Sequence, residues 1–502
     1  MPARPTHSDN MLGMSQTGAA SRSDLDILRA LVVAAGLVAA VLFVVIGLRY
    51  ALELYGDGAM FSYSVAVQDA WAFHWHNISG RLTVYLLTLL PAEAYVALTR
   101  DPSGGIVVYG FLIFVAPLLG LIATFAADRS KGRIIFVYAC FSTACLCPLV
   151  FGFPTEMWLA HALFWPALAA AHYARRTIGG AAMVCVLLLA LILTHEGALV
   201  LAMAIVVTLL LRGLRDWAFL RAAGALLVAL TIWTAVKMLL PPGDYFAAVL
   251  VRAALDFFDA KIFTSDIVLL LFGTIAGYAL AFLVLVRFVP TKAHFYAAVL
   301  VAVALAAYWL RYDHALHAAD RYYLRTVLVI ATPLLGALAA IYALRADGRL
   351  NLPMPRLAQI VEALANRVSA GAIAGAFVLV MLVHAVETEK FLAAWTEYKA
   401  AVATLANGTA SDPALGDPHF VSSARIDRDL NRLSWFSTTP YLSVILAKFS
   451  PTRLVMDPRA ANYFWLSCET ATANLNADRA VPAGVRRLVQ IHACLHRPMM
   501  SH

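Results

Sequence analysis

Charged side chains are scarce in this sequence, and their scarcity excludes an ordinary soluble protein. Asp, Glu, Lys and Arg make up 14% of the 502 residues and hydrophobic residues 62%, whereas soluble domains carry about 25% charged residues. Apolar runs of about 20 residues, the length of a helix that crosses a bilayer, recur along the chain. The sequence therefore predicts an all-α polytopic membrane protein. In that class the net charge of +8 reports on membrane topology and is no sign of nucleic-acid binding.

Cysteine is rare as well, and its placement indicates no metal centre. Four of the six cysteines lie in apolar runs, where cysteine acts as a small core residue. These four are Cys140, Cys145, Cys147 and Cys185. The pair His195-Glu196 lacks the second histidine of a zinc-protease motif. The chain also lacks the internal repeat and the inverted hydropathy symmetry that transporters often show.

About eleven apolar segments are predicted to span the membrane. They lie at residues 28–49, 104–127, 134–151, 157–174, 179–194, 197–212, 222–240, 266–287, 294–310, 322–344 and 369–387. The polar segment before them, residues 1–26, is predicted to be disordered and is no cleavable signal peptide. The run from Ala181 to Leu211 is either two short helices or one kinked helix. The Pro-interrupted run from Leu82 to Leu98 is a further span or, as Pro91 favours, a surface or re-entrant helix.

Among the predicted short connections, those on one side of the membrane carry the Lys and Arg residues, and this bias sets the orientation of the chain. The inner connections hold Arg129, Lys131, Arg133, Arg175, Arg176, Arg212, Arg215, Arg221, Arg287, Lys292, Arg345, Arg349, Arg356 and Arg367. The short outer turns at Phe153 and His195 hold none. This asymmetry predicts a cytoplasmic N-terminus, and the composition is typical of a bacterial inner-membrane protein. The inner connections carry mostly Arg and Gly and resemble no site.

The C-terminal segment, residues 389–502, is markedly more polar than the rest of the chain. An odd number of spans places it outside the cytoplasm, and about 110 residues are enough for a small domain. A helix at Phe391–Leu405 and a strand at Arg453–Met456 predict a mixed α/β domain. Its only cysteines, Cys468 and Cys494, are expected to form a disulfide in that compartment.

The first outer segment, residues 51–103, carries the most informative acidic residue. Asp57 follows the first span and stands between Gly56 and Gly58, which allow a tight turn and a close approach to a ligand. The run from Met60 to His76 reads as amphipathic helices on the membrane surface, with Trp and Tyr at headgroup level. Asp57 on that platform is a candidate catalytic base; the alternative is a residue that ends a helix and faces water.

Further ionisable residues gather on the same predicted side, where they are costly and usually functional. Glu156 precedes His161 by about one and a half helical turns, and His195-Glu196 occupies the next outer turn. His195 is equally consistent with a packed histidine bonded to a carbonyl. Arg81 is a further outer arginine that lies outside the short turns.

The loop before the tenth span carries two distinct patterns. His314, His317 and Asp320 have helical spacing and could bind a divalent metal, although a solvated helix face is the more frequent reason for such a set. Arg321-Tyr322 and Arg325 suit bidentate binding of a lipid phosphate. The alternative for these arginines is interfacial anchoring. No other cofactor is indicated.

This set of residues resembles the C-type glycosyltransferase superfamily (GT-C). Its members are polytopic enzymes with an acidic residue in the first extracytoplasmic loop, directly after the first span. The matching stretch runs from Tyr55 to Phe61 around Asp57, followed by the surface segment and by the tail after Glu389. The resemblance covers the architecture and rests on one short motif, and it assigns no subfamily.

The resemblance implies a donor, an acceptor and a role for each residue. The donor is a polyprenyl-phosphate sugar, and the acceptor is an extracytoplasmic glycan, lipid or protein. Asp57 deprotonates the acceptor hydroxyl, and Glu156 takes the place of the second acid. Arg321 and Arg325, or Arg81, neutralise the leaving lipid phosphate. Membrane lipids are the other expected partners.

Three other functions remain open at this point. A ligase or polymerase of surface glycans also uses lipid-linked sugars, but typically carries a large outer loop between late spans. A transporter or flippase of lipid-linked substrates would need charge at mid-membrane. A non-catalytic scaffold would use the outer tail to bind a partner.

Overall fold

The computed structural model describes residues 22–68, 81–146, 156–239, 251, 255, 266–311, 318–350, 370–409, 420–433, 438–449 and 452–456. The first eight helices are α1 Arg22–Tyr50, α2 Asp57–Val67, α3 Leu82–Thr99, α4 Pro102–Ala127, α5 Ile134–Leu146, α6 Glu156–Tyr173, α7 Ile178–Ile192 and α8 Ala198–Thr208. The others are α9 Trp217–Leu239, α10 Asp266–Phe288, α11 Ala293–Arg311, α12 Ala318–Ala346, α13 Ala370–Asn407, α14 Arg428–Asn431 and α15 Thr439–Leu446. A π-helical turn, Tyr85–Leu89, lies within α3.

A helix lies at each of the eleven predicted spans, and their apolar composition makes the chain an all-α membrane protein. Among the described residues, five helices are long and apolar enough to cross a bilayer: Leu25–Tyr50, Leu82–Thr99, Pro102–Ala127, Trp217–Leu239 and Leu328–Ala346. The second of these is the run that Pro91 suggested would be a surface or re-entrant helix. Its length suits a span, but Thr83 at its start is bonded to Leu193 of the α7–α8 turn, and Val96 near its end packs on Gly105 at the start of α4. Both its ends therefore lie at one end of the bundle, as a re-entrant or surface helix requires. The run from Ala181 to Leu211 forms two short helices, α7 and α8, separated by a turn.

The helix α6 forms the centre of the bundle. Trp158, Phe164 and Trp165 are at most 1% exposed, and α6 packs against α4, α7, α8 and α12. A helix that is apolar all round is normally buried in this way. Close helix contacts depend on glycine: a Cβ on Gly120 of α4 would lie 2.5 Å from the carbonyl oxygen of Ala162. On the outer helices, large apolar side chains such as Leu227 are exposed, as lipid contact requires.

The connections of the bundle sort onto two ends. At one end, the α4–α5 connection meets the segment after α12, because the Lys131 amide donates to Asp347 at 2.9 Å. Asp347 also accepts a hydrogen bond from Tyr173, at the end of α6, at 2.7 Å. At the other end, the Thr83 amide donates to the Leu193 carbonyl at 3.3 Å. The described connections that the sequence assigns to one side therefore lie together.

The first outer segment differs from the prediction of amphipathic surface helices. In its described part, α2 is buried on all sides rather than on one: Met60, Phe61 and Tyr63 are at most 4% exposed. The reason is a contact distant in sequence, since α2 packs between α4 and α15 of the tail. The rings of Tyr63 and Tyr441 are 5.3 Å apart. Residues 69–80 of this segment lie outside the described residues.

The predicted domain boundary at residue 389 falls inside a helix. α13 runs without a break from Ala370 to Asn407, and Lys390 pairs with Glu387 across the boundary at 3.2 Å. The predicted helix Phe391–Leu405 is therefore the second half of the last bundle helix. Beyond it, β1 Phe420–Ser422 and β2 Leu454–Met456 form a parallel two-stranded sheet, which confirms the predicted strand.

The tail packs against the junction between α1 and α2. The Trp395 indole donates to the carbonyl of Tyr50 at 3.1 Å, and the hydroxyl of Tyr55 donates to the carbonyl of Leu433. The ring of Tyr55 lies 5.3 Å from that of Phe391 and 5.2 Å from that of Trp395. At the start of the chain, α1 begins at Arg22, inside the segment 1–26 predicted to be disordered.

Candidate functional site

Asp57 is the first residue of α2, and the turn before it depends on glycine. Gly56 has φ 59° and ψ −136°, a conformation that residues with a Cβ rarely adopt. The Gly58 amide closes the turn by donating to the carbonyl of Tyr55 at 3.1 Å. The Asp57 carboxylate is partly exposed and lies at the positive end of the helix dipole, which stabilises its ionised form.

Four charged side chains form a nearly buried network, which we name the Arg81 cluster: Arg81, Glu156, Glu196 and Lys237. One guanidinium nitrogen of Arg81, Nη1, lies 2.8 Å from Glu156 Oε1, and its Nη2 lies 2.8 Å from Glu196 Oε2. Lys237 Nζ contacts the other oxygen of Glu196 at 2.9 Å. The four side chains are 7–16% exposed. The cluster joins the segment before α3, the start of α6, the α7–α8 turn and the end of α9.

The charges of this cluster stabilise each other in their ionised forms. Burial alone would lower the pKa of Arg81, but the carboxylates of Glu156 and Glu196 outweigh it and hold that pKa above its ordinary value. Burial would raise the pKa of Glu196, and the nearby Arg81, His195 and Lys237 outweigh it, so this pKa lies below its ordinary value. Both groups are therefore charged at neutral pH.

Asp57 belongs to the same end of the bundle as the Arg81 cluster. Tyr109, a buried residue of α4, is in electrostatic contact with Glu156, Asp57 and Glu53. The charges of the predicted base and of the predicted second acid therefore both reach one tyrosine. This arrangement brings the first outer segment and the second outer turn together.

Glu53 is a second carboxyl group close to this region. It is 3% exposed, and its Oε2 is buried without a hydrogen-bond partner among the described residues. A Cβ on Gly110 of α4 would lie 3.0 Å from its side chain, so this glycine leaves room for the acid. Burial raises the pKa of Glu53 to about 8, against the opposing effects of its own backbone hydrogen bond and of Lys399. Glu53 is therefore mostly protonated at neutral pH.

The helix that carries Arg321, Tyr322 and Arg325 passes beside the α7–α8 turn. A Cβ on Gly197 would lie 3.1 Å from Val329 of α12 and 3.6 Å from Met157 of α6, so this glycine lets the turn approach both helices. Arg325 precedes Val329 by one helical turn, about 6 Å along the axis, and Arg321 precedes it by two. The backbone positions of both arginines therefore lie along the helix that borders the turn, while their side chains are outside the description.

The two predicted histidines occupy different environments. His195 Nδ1 accepts a hydrogen bond from the Gly197 amide at 2.9 Å, which holds the turn beside Glu196. His161 is 1% exposed and lies in the helix packing, where its Nε2 is 2.8 Å from Ser142 Oγ. Trp165 Nε1 approaches the same nitrogen at 3.4 Å. His161 is thus bonded within the bundle core.

The proposed metal ligands and the disulfide are not part of the described site. His314, His317, Cys468 and Cys494 lie outside the described residues, and Asp320 belongs to the part of α12 whose side chains are not described. Among the residues that the structure describes, no three His, Cys, Asp or Glu side chains are grouped to hold a metal ion.

Three functional candidates were missed from the sequence. Lys237, in the last turn of an apolar helix, could have been found from the rule that charges near span ends have a reason. Glu53, three residues after α1 ends, shows the same signal. Tyr109 gives no signal in the sequence, because an aromatic residue in a span is ordinary core.

No protein-family model matches the chain, and no curated protein matches it in sequence. The fold and the site define a helical membrane protein with a buried ionic cluster at one end of its bundle.

Proposed function

We propose that this protein is a membrane glycosyltransferase of the GT-C type, which moves a sugar from a polyprenyl-phosphate donor to an extracytoplasmic acceptor. The observation that carries the proposal is the meeting of Arg81, Glu156 and Glu196 in one nearly buried cluster. Buried ionisable groups in a membrane bundle are costly, and by default they are a hypothesis for a functional site. Asp57 supplies a carboxylate at the same end of the bundle, within electrostatic range of Tyr109, as Glu156 is.

In the proposed reaction, Asp57 accepts the proton of the acceptor hydroxyl. The acceptor oxygen then forms a bond to the anomeric carbon, while the bond from that carbon to the phosphate oxygen breaks. The electron pair leaves with the lipid phosphate, which gains negative charge. Fixed cations in a partly dry site stabilise such a leaving group by several kcal/mol.

The cations assigned to that phosphate are Arg81 and Lys237 of the cluster, with Arg321 and Arg325 of α12. Arg81 is held by two carboxylates, so its position is fixed before the donor binds. Glu156 is ion-paired with Arg81, and its role in the proposal becomes that of positioning this guanidinium. His195 and Glu196 complete the wall on the α7–α8 turn, and Tyr322 lies with Arg321 on α12.

The proposed topology follows the distribution of Lys and Arg. Eleven spans place the N-terminus in the cytoplasm of a bacterial cell and residues 389–502 outside the inner membrane. The Arg81 cluster is then at the outer face, where polyprenyl-phosphate sugars present their headgroups. The tail carries the proposed Cys468–Cys494 disulfide and packs on the segment that holds Asp57.

The test replaces the base while keeping its shape. Asp57→Asn removes the proton acceptor, and general-base assistance contributes about a hundredfold to ten-thousandfold in rate. With purified protein and a panel of short polyprenyl-phosphate monosaccharides, we expect sugar release to fall by at least about a hundredfold. Donor affinity should stay unchanged, because the phosphate is assigned to arginine and lysine.

The matched control is Asp101→Asn, an exposed aspartate before α4 in the same outer segment. It should retain the transfer rate. Near-normal turnover in Asp57→Asn would make Asp57 a structural residue and would remove the proposed base. A wild-type protein that moves a labelled donor across liposomes without cleaving it would instead favour a flippase.

A further inference from the structure

A concave basic pocket lies at the opposite end of the bundle from the Arg81 cluster. Its volume is about 700 Å³, within the range of small-molecule sites. It lies where α6 ends, and the 18 residues of this helix separate it from Glu156 by about 27 Å. Six arginines line it: Arg129, Arg175, Arg176, Arg212, Arg221 and Arg349. They lie in or next to four connections that are far apart in sequence.

Two of the six arginines form the fixed part of the pocket. Arg221 donates to the carbonyl oxygens of Ala171 and Ala174 at 2.9 and 3.0 Å and so caps the end of α6. Arg212 donates to the carbonyl of His172 at 2.9 Å and pairs with Asp216 at 3.2 Å. Asp216 is the single acid in the lining, and Arg212 already engages it.

The other four arginines carry positive charge that the pocket does not neutralise. The side chains of Arg129, Arg175, Arg176 and Arg349 are exposed and make no hydrogen bond or ion pair within the part of the chain that the structure describes. Two further acids lie near the lining residue Tyr173, and both are already bonded. Asp347 accepts from the Lys131 amide and from Tyr173, and Asp128 accepts from two backbone amides. The pocket is therefore strongly positive.

A buried donor in the lining gives a second, independent observation. Arg221 is 7% exposed and His172 is 3% exposed. Arg221 Nε, an N–H donor, is buried with no hydrogen-bond partner among the described residues. His172 Nδ1 is unpaired there as well, but it is an acceptor, because the other ring nitrogen donates to Thr208 Oγ1, whose own proton goes to the Ile205 carbonyl. Buried polar groups in native proteins are nearly always paired. Arginines that only set the membrane orientation would need neither a cavity nor a buried N–H group without a partner.

We propose that this pocket binds the phosphate group of a phosphoester ligand. Phosphate offers several acceptor oxygens and, at neutral pH, a charge of about −2 in a monoester and a single negative charge in a diester, and arginine binds it through paired N–H groups. A cavity of about 700 Å³ has room for an organic group attached to that phosphate. The ligand is either a soluble phosphoester or the headgroup of an anionic phospholipid, which share this chemistry.

The experiment compares two probes on the purified full-length protein. Glycerol 3-phosphate in detergent represents the soluble source, and phosphatidylglycerol in phosphatidylcholine nanodiscs represents the lipid source. Binding is measured by calorimetry for the first probe and by native mass spectrometry of retained lipid for the second. We expect one or both probes to bind the wild type, and the arm that binds identifies the source.

The variant Arg175→Ala/Arg176→Ala removes two exposed arginines of the pocket and should weaken binding by about tenfold or more. Arg349→Ala, from a different connection, should weaken it in the same direction and covers the case of a double variant that does not fold. The matched control is Arg215→Ala/Arg287→Ala, which removes two exposed arginines of the same face outside the pocket. Equal loss in the control would overturn the proposal, because diffuse charge would then explain binding. Absence of binding by both probes would overturn it as well.

Discussion

Replacing Arg81 by glutamine should destabilise the protein because it leaves buried acids without their cation. Arg81 contacts Glu156 at 2.8 Å and Glu196 at 2.8 and 3.2 Å, with its side chain 10% exposed. Lys237 remains at 2.9 Å from Glu196, so the larger loss falls on Glu156. Breaking a buried ion pair by removing one partner typically costs about 3–5 kcal/mol, and this range is the expected decrease in the free energy of unfolding.

The second variant, Arg81→Gln/Glu156→Gln, removes the acid together with its cation. The remaining pair of Glu196 and Lys237 is neutral overall, so the double variant should be more stable than Arg81→Gln alone by about 1 kcal/mol or more. Unfolding by SDS in mixed micelles, followed through the fluorescence of the ten tryptophans, measures both. The control Arg215→Gln, at an exposed position, should change stability by no more than about 0.5 kcal/mol. A double variant less stable than Arg81→Gln would refute the reasoning.

Two further predictions concern a titration and the topology. Burial raises the pKa of Glu53 from 4.5 to about 8, so between these pH values the folded protein keeps a proton that the unfolded chain loses. The free energy of unfolding should therefore fall as the pH rises from about 4.5 to about 8, by at most about 1.4 kcal/mol per pH unit. Glu53→Gln should remove this component; parallel stability curves for variant and wild type would contradict it. A membrane-impermeant thiol reagent applied from outside should label Cys468 and Cys494 only after reduction, and labelling of neither cysteine after reduction would overturn the proposed topology.

The helices could be predicted because each one is encoded by a local sequence pattern. Apolar composition marks the spans, and the caps mark their ends: the Thr177 hydroxyl accepts from the Gly180 amide at 3.1 Å and begins α7 one residue from the predicted start. The turn at Gly56 was predictable for the same reason, since glycine next to Asp57 indicates a positive φ. Sidedness then placed Glu156 and Glu196 at one end of the bundle.

What escaped the sequence depends on contacts between distant segments. Tyr55 and Leu433 are bonded across 378 positions of the chain, and no local pattern encodes that the tail covers α2. The pairing of Lys237 with Glu196 likewise requires α9 to end beside the α7–α8 turn. The inner arginines looked like topology signals alone, because only the fold shows that Arg129, Arg176 and Arg349 border one cavity.

The unbroken course of α13 makes the tail and the bundle one mechanical unit. This helix of 38 residues is about 57 Å long. In its C-terminal half, Phe391 and Trp395 pack against the ring of Tyr55. Tyr55 precedes the Gly56 turn directly, so a tilt of this helix displaces the backbone that aims Asp57. Truncation at residue 389 would cut this helix in two and would not separate an independent domain. We therefore expect the segment after residue 389 to have diverged together with the first loop. A chimera that takes this segment from a related protein should not fold unless it takes the first loop from the same protein.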